Sequence, residues 1–154
     1  MIKNLSAFVS KGKFDRPIEG ILITSSMVVA TDSFKLIEVK GETGIKDSFT
    51  VKLPEKLKSF DTITRAGVEA TIHNKGAQYK AMAKPADEYP KYERVIPTEE
   101  PIVSIKLSPE HLKEICIAFE NGGGMTLSIY GDTKPVVFTN DKEDKRALLM
   151  PISK

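Results

Sequence analysis

The spacing of apolar residues near the amino terminus predicts a short helix followed by a hairpin. Leu5, Phe8 and Val9 have the spacing of one helix face. Residues 18–24 and 27–40 are rich in isoleucine, valine and leucine, and two serines separate them. Two apolar runs on either side of a short polar pair predict a β-hairpin.

The middle of the chain predicts a strand, a helix and two further strands. Residues 49–53 alternate apolar and polar side chains, which predicts a half-buried strand. Its inward side chains would be Phe49, Val51 and Leu53, and its outward ones Thr50 and Lys52. A helix is predicted from Pro54 to about Arg65, because the first helical position does not need the N–H that proline lacks. Its buried stripe would consist of Leu57, Phe60 and Ile63. Strands are expected at 68–73 and 78–83.

The last third of the chain repeats the pattern of the middle third. Residues 105–113 match residues 51–58 with one insertion, and both read as a strand followed by Pro-Glu at the start of a helix. The second helix would bury Leu112, Ile115, Cys116 and Phe119. The strands after it are predicted at 125–130, 136–139 and 146–152. Repeated strand–helix–three-strand units predict an α+β fold, although convergence of common supersecondary structure gives the same pattern.

Composition narrows the class of protein. The chain has 154 residues, enough for one ordinary domain or two small ones. Hydrophobic residues make up 40% and charged residues 29%, a globular composition. No apolar run is long enough to span a bilayer and the amino terminus has no signal peptide, so we expect a cytoplasmic protein without a membrane partner. The net charge of only +2 argues against strong non-specific attachment to nucleic acid.

The residues able to carry chemistry do not form a recognisable site. His73 falls in a predicted strand and His111 in the first turn of a predicted helix, without metal-ligand spacing. The single cysteine, Cys116, lies on an apolar stripe and is expected to be a buried hydrophobe. The glycines at 122–124 follow a helix, which predicts a helix stop and not a phosphate cradle, and the mixed charges at 141–146 predict a solvated turn. The sequence therefore predicts a non-enzyme that needs no cofactor or metal.

Three segments carry a more specific signal. Residues 29–36, Val-Ala-Thr-Asp-Ser-Phe-Lys-Leu, resemble the Ala-Thr-Asp-Gly-His-Arg-Leu motif of the bacterial sliding clamp, the beta subunit of DNA polymerase III. Residues 89–97, Tyr-Pro-Lys-Tyr-Glu-Arg-Val-Ile-Pro, resemble that family's Phe-Pro-Asp-Tyr-Arg-Arg-Val-Ile-Pro segment. Residues 134–137 and 148–152 resemble its carboxyl end, and the order of the segments is the family's order. Serine, phenylalanine and lysine at 33–35 depart from the family's Gly-His-Arg.

The resemblance implies a reduced clamp with the DNA-clamp fold. Residues 1–97 resemble the middle domain of the sliding clamp without its first strand, and residues 98–154 resemble the second half of its last domain. The first domain and half of the last have no counterpart in this chain. The head-to-tail dimer interface of the family therefore cannot be carried over.

The resemblance also implies a site for partner proteins. In sliding clamps, partners insert a short linear peptide into an apolar pocket between the middle and last domains. Leucine, valine and methionine side chains suit such a pocket because they give it an adaptable apolar floor. The alternative for 148–152 is an ordinary core strand, with Leu149 on one face and its neighbours on the other. The positions that match the pocket are Thr31, Ser33, Phe34, Lys35, Leu36, Pro90, Arg94, Val95, Leu148, Met150, Pro151 and Ile152.

Contact with double-stranded DNA is expected to be weak and non-specific. Sliding clamps line a central hole with basic helices, which contact phosphates without reading sequence. Ordinary solvated helix faces are the alternative, because acidic residues nearly balance the basic ones here. The candidate DNA-facing residues are Lys3, Lys11, Lys13, Arg16, Lys56, Lys58 and Arg65.

The resemblance implies a processivity factor, a homo-oligomeric ring that tethers a DNA polymerase or other replication proteins to DNA through the peptide pocket. Two alternatives stay open. One is an adaptor or inhibitor that keeps the peptide pocket but never encircles DNA, and the other is an enzyme whose site the sequence does not reveal.

Overall fold

Antiparallel strands account for most of the regular secondary structure in the described residues. In this computed structural model, residues 2–12, 16–54, 57–120, 123–142 and 144–152 are described. The chain divides into two units, Met1–Ile96 and Pro97–Lys154.

The described part of the first unit contains short strands and single turns of 3-10 helix. The strands are β1 (Ile2–Lys3), β2 (Ile21–Ile23), β3 (Met27–Thr31), β4 (Leu36–Lys40), β5 (Phe49–Val51), β6 (Ser59–Phe60), β7 (Thr62–Ala66), β8 (Glu69–Asn74) and β9 (Ala77–Pro85). The 3-10 turns are Leu5–Phe8, Pro17–Glu19 and Tyr92–Val95. The predicted hairpin at the two serines is confirmed, since β2 and β3 pair antiparallel across them.

One seven-stranded sheet organises this unit. Its order is β4-β3-β2-β5-β9-β8-β7, so that β5 joins two three-stranded meanders by pairing antiparallel with both β2 and β9. The main core covers one face of the sheet and contains fully buried Leu5, Ile21, Ile23, Phe49, Val51 and Ile72.

The second face of the sheet is covered too, which corrects one prediction. Thr50 was expected to point outward but is 1% exposed, and its hydroxyl donates to the Lys84 carbonyl at 3.4 Å. Thr50 lies opposite Leu22 in the sheet. Leu22 belongs to a second buried cluster with Tyr89 and Tyr92, which come from the segment after β9. The alternation rule failed here because it assumes that one face meets water.

The run at 27–40 is not one strand but two. It turns back at 32–35, and β4 pairs with β3 over five residues. Asp32 causes the turn, because its carboxylate accepts hydrogen bonds from the N–H groups of Phe34 and Lys35.

The helix predicted from Pro54 to Arg65 was wrong. The Leu57 N–H donates to the Pro54 carbonyl at 2.8 Å, and the chain continues after Leu57 into β6 and β7. Leu57, Phe60 and Ile63 are nevertheless buried, as expected. Short polar and β-branched residues fill the rest of 59–64, and they favour strands over helix interiors. The five-residue ladder between β7 and β8 then decides in favour of the strand.

The second unit consists of one helix on a three-stranded sheet. The helix α1 spans Pro109–Ala118, and the Ser108 side chain caps it by accepting from the His111 N–H. The strands β10 (Met125–Ser128), β11 (Val136–Asn140) and β12 (Arg146–Leu149) pair in that order. Their core contains Phe119, Val136, Phe138 and Leu149. At ten residues, α1 is the longest helix of the described ranges, and none there is long and apolar enough to cross a membrane.

Two predictions for this unit need correction. Cys116 is exposed, because Leu112, Ile115 and Phe119 already occupy the narrow stripe by which α1 meets the core. The expected repeat also fails in its details. Among the residues that the structure describes, only the second copy contains the helix, and residues 105–107, the expected first strand of that copy, are not a strand.

Candidate functional site

A cavity of about 440 Å³ opens on the first unit between the β3–β4 turn and the segment at 90–95. Seven residues predicted for the peptide pocket line it: Thr31, Ser33, Phe34, Lys35, Leu36, Pro90 and Val95. Lys91 and Tyr92 line it as well and were not predicted. Tyr92 occupies a position where this chain matches the family segment, so the alignment contained a usable signal for it.

The β3–β4 turn forms one wall of the cavity and is held by side-chain hydrogen bonds. The Asp32 carboxylate accepts from the Phe34 and Lys35 N–H groups, each at 3.0 Å, and pairs with the Lys35 ammonium. The Thr31 hydroxyl donates to the Lys35 carbonyl at 2.9 Å and accepts from the Ser33 N–H at 3.1 Å. Ser33 adopts a left-handed backbone with φ of 78°. These bonds fix the turn, and Phe34 at its tip is 96% exposed.

The same bonds set the charge of Asp32. The Lys35 hydrogen bond, helped by the Phe34 N–H, lowers the pKa of the Asp32 carboxyl to about 2. The turn therefore keeps its carboxylate ionised throughout the physiological range.

Two tyrosines support the cavity from beneath. Tyr89 and Tyr92 are buried, with ring centroids 6.4 Å apart and planes at 76°, an edge-to-face arrangement. The Tyr92 hydroxyl donates to the Met27 sulfur at 3.3 Å and that of Tyr89 to the Val29 carbonyl at 3.5 Å. Burial raises the pKa of Tyr92 to about 12 and raises that of Tyr89 further. Both phenols are therefore neutral, and the support of the cavity carries no charge.

The rim of the cavity combines apolar and basic side chains. Phe34 and Val95 are exposed to 96% and 73%, although large apolar side chains usually lie inside a fold. Lys35 and Lys91 are exposed beside them. The arrangement suits an extended ligand with an apolar anchor and neighbouring acidic groups.

Comparison with known proteins gives structural matches only. No protein-family model and no curated protein matches the sequence. The beta clamp of Helicobacter pylori, bound to a DNA ligase peptide, matches with a TM-score of 0.61 at 18% identity, over 98% of this chain and 46% of that one. The DNA polymerase III beta subunit of Thermotoga maritima matches with a TM-score of 0.51 at 16% identity, over 95% of this chain and 48% of that one. The chain has the fold of the bacterial beta clamp.

The clamp fold confirms the predicted resemblance and the predicted fold class. This chain spans about half the length of the two clamps that it matches.

The remaining pocket candidates are not among the residues that line the cavity. Arg94 is exposed in the 3-10 turn Tyr92–Val95 but does not line the cavity. The other four belong to the second unit: Leu148, Met150 and Ile152 are exposed, and Pro151 is partly buried. Leu149 is 8% exposed and belongs to the core. The predicted alternation along β12 is thus present, and the apolar face with Leu148 and Met150 is the one left open.

The DNA-facing candidates that the structure describes lie on strands and loops. Lys13 and Lys56 fall outside the described residues, and so does the Lys3 side chain. Lys11, Arg16, Lys58 and Arg65 are exposed. None of these four lies on an α-helix, in contrast to the prediction for the last two.

Two of these cations already have partners in the chain. Arg16 pairs with Glu19 at 2.8 Å. The Arg65 guanidinium lies 5.1 Å from the centroid of the Phe49 ring and donates to the Gly67 carbonyl at 2.7 Å. These contacts hold the Arg16 and Arg65 side chains against their neighbours in the fold, which is a structural role.

Neither histidine lines the cavity. His73 lies in β8, and His111 in α1 contacts Glu114 at 3.2 Å. Within the described ranges, no group of three or more histidine, cysteine or acidic side chains could hold a metal ion.

Proposed function

We propose that this protein is a clamp-type processivity factor, which tethers a DNA polymerase to DNA and receives a short peptide of its partners in the cavity at 31–36 and 90–95. The observation that carries the proposal is the cavity itself. Seven residues, assigned to a peptide pocket from two sequence segments about 60 residues apart, line one concavity.

The physical character of the cavity supports a peptide ligand. A volume of about 440 Å³ accommodates one or two apolar side chains, within the range of ordinary ligand sites. The uncharged tyrosines beneath the cavity and its apolar rim favour a ligand that inserts a leucine or phenylalanine side chain. Binding of a peptide depends mainly on a few such buried side chains. Lys91 favours an acidic residue beside the anchor, whereas the charge of Lys35 is already paired with Asp32. The Helicobacter pylori clamp was bound to a peptide of DNA ligase, a ligand of this kind.

The test is a fluorescence-anisotropy titration with a labelled synthetic peptide that has the sequence of that DNA ligase peptide. We expect saturable binding by the full chain. Val95→Glu should weaken it by about tenfold or more, because the carboxylate would be desolvated under the apolar anchor.

The matched control is Val68→Glu. Val68 is 76% exposed, against 73% for Val95, but lies at the β7–β8 turn and does not line the cavity. Its variant should bind as the wild type does. Equal affinities for all three proteins would show that the peptide binds elsewhere, and no binding at all would remove the peptide site from the proposal.

An adaptor that binds partner peptides without encircling DNA is the second candidate. Two observations favour it. The described residues of the predicted basic helix, 54 and 57–65, form no helix. The helix α1 carries Glu110 and Glu114 against Lys113 alone, so it offers little attraction to phosphates. The two candidates share the peptide site and differ in whether the protein is held on closed circular DNA.

A further inference from the structure

Another cavity of the first unit shares no lining residue with the proposed peptide site. It has a volume of about 630 Å³ and opens between the loop that joins β4 to β5 and the turn that joins β7 to β8. A volume of this size is typical of small-molecule sites. The lining consists of Gly44, Ile45, Lys46, Asp47, Arg65 and Gly67.

Hydrogen bonds fix the first wall of this cavity, the β4–β5 loop. The Thr43 hydroxyl donates to the Thr24 carbonyl and accepts from the Ile45 N–H, the latter at 3.2 Å. The Ile45 side chain packs against the main core. Lys46 and Asp47 follow Ile45 directly, so the backbone that carries their side chains is held in place.

The second wall carries an arginine in a fixed orientation. The Arg65 guanidinium lies over the ring of buried Phe49, and its Nε donates to the Gly67 carbonyl at 2.7 Å. These contacts use only the Nε–H, and no other hydrogen bond of the described residues engages the terminal amino groups. Two parallel N–H donors in a fixed plane suit an acceptor with two oxygens, such as a phosphate or a carboxylate.

The charged side chains of the two walls share the cavity without neutralising one another. Lys46, Asp47 and Arg65 are exposed, and none of them forms an ion pair with another described residue. The two cations attract a phosphate, whereas the carboxylate repels an anion and accepts hydrogen bonds from hydroxyl groups. This combination is complementary to a phosphate with hydroxyl groups beside it. The carboxylate and the concave shape disfavour duplex DNA, which presents a convex row of phosphates.

We propose that this cavity binds a sugar phosphate, free or as part of a nucleotide. The phosphate accepts hydrogen bonds from the terminal amino groups of Arg65 and from the Lys46 ammonium. The Asp47 carboxylate accepts from a hydroxyl of the sugar. Arg65 and Lys46 therefore provide the affinity, and Asp47 distinguishes a sugar phosphate from phosphate alone. The inference does not depend on the peptide site.

The experiment is a titration of the ¹⁵N-labelled full chain, followed by ¹H–¹⁵N correlation spectra. The probes are ribose 5-phosphate, adenosine monophosphate and inorganic phosphate. Ribose 5-phosphate should bind saturably, more tightly than inorganic phosphate, and should shift the amide signals of residues 44–47 and 65–67. Tighter binding of adenosine monophosphate than of ribose 5-phosphate would assign the site to nucleotides, and equal or weaker binding would assign it to free sugar phosphates. Either result supports the proposal.

Three variants test the assigned roles. Lys46→Met and Arg65→Met should each weaken the binding of ribose 5-phosphate by about tenfold, because each removes charge-assisted hydrogen bonds to the phosphate. Asp47→Asn should strengthen the binding of inorganic phosphate and reduce the preference for ribose 5-phosphate, because it removes a repulsive charge and weakens the acceptor for the hydroxyl. Since Arg65 also packs on Phe49, the Lys46 variant carries the test if the Arg65 variant does not fold.

The matched control is Lys75→Met. Lys75 is exposed, its side chain has no partner among the described residues, and it follows the end of β8 opposite to the cavity. Its variant should bind ribose 5-phosphate as the wild type does. The proposal is overturned if no sugar phosphate binds saturably, if inorganic phosphate binds as tightly as ribose 5-phosphate, or if the affinity persists in Lys46→Met. A short DNA duplex that binds through Lys46 when sugar phosphates do not would assign the cation to DNA and also overturn it.

Discussion

At the scale of single residues, the cavity depends on the turn made by Asp32. The Asp32 carboxylate accepts hydrogen bonds from two backbone N–H groups and pairs with a lysine. The turn held in this way exposes Phe34 to solvent at the edge of the cavity. These bonds join residues that are close in sequence, so a short sequence motif is enough to indicate the turn. The aspartate and the threonine before it are shared with the family motif, whereas Phe34 and Lys35 are departures from it.

The Asp32 carboxyl should titrate at a pKa of about 2, against 3.8 for an ordinary aspartate. Because the folded value is the lower one, the carboxylate stabilises the turn fully above about pH 4, and this contribution is lost as the pH falls toward 2. Lys35→Met should move the pKa back toward 3.8, since the lysine is the largest cause of the shift. Carboxyl ¹³C chemical shifts recorded against pH measure both values.

The control is Lys80→Met, which removes a different exposed ion pair, the one with Glu69. It should leave the titration of Asp32 unchanged. An Asp32 pKa near 3.8 in the wild type would show that the turn is not formed in solution as described.

Lys91 and Tyr92 show the limit of motif reasoning for single residues. The family pattern matched Tyr92 but gave it no role, because its importance comes from packing on Met27 and Tyr89. The contact between Tyr92 and Met27 joins residues 65 positions apart, so the segment match could mark Tyr92 but could not show what it packs against.

At the scale of elements, the sequence predicted buried positions better than the conformation that buries them. Leu57, Phe60 and Ile63 are spaced by three, which fits a helix stripe, yet all three are buried without a helix, the last two from short strands. The decisive partner, β8, follows later in the chain. The spacing of apolar residues within one segment cannot show that a later strand will pair with it. The helix α1, in contrast, depends on a local cap and a proline at its start, and it was predicted from the sequence.

The strand β12 allows a test with two adjacent leucines. Leu149 lies opposite Val136 in the core and is 8% exposed, whereas Leu148 on the other face is 59% exposed. Leu149→Ala should lower the free energy of unfolding by about 2–4 kcal/mol, because it removes buried methylenes and leaves a cavity. Leu148→Ala should change it by no more than about 0.5 kcal/mol.

Urea denaturation followed by circular dichroism measures both leucine variants. Equal losses of unfolding free energy in the two variants would show that both side chains are buried. That result would contradict an exposed face of β12 at Leu148. The contribution of Leu148, Met150, Pro151 and Ile152 to peptide binding stays a prediction, and it requires that this face be open.

At the scale of the whole molecule, three weak motifs in the right order predicted the fold. None of them is specific alone, and the matched clamps share only 16–18% of their residues with this chain. Order along the chain carries the information because the motifs sit at turns and strand ends that the fold itself requires. Assembly into a ring stays a prediction.

The most direct measurement of the central claim is retention on closed circular DNA. Chains dissociated by dilution are concentrated in the presence of a nicked circular plasmid, so that any ring forms around the DNA without a loading factor. Gel filtration at moderate salt then separates bound from free protein, before and after a single restriction cut. A processivity factor should elute with the circle and be lost after linearisation, because its hold is topological and not electrostatic. Equal elution profiles with circular and linear DNA would contradict the account and leave the peptide-binding adaptor.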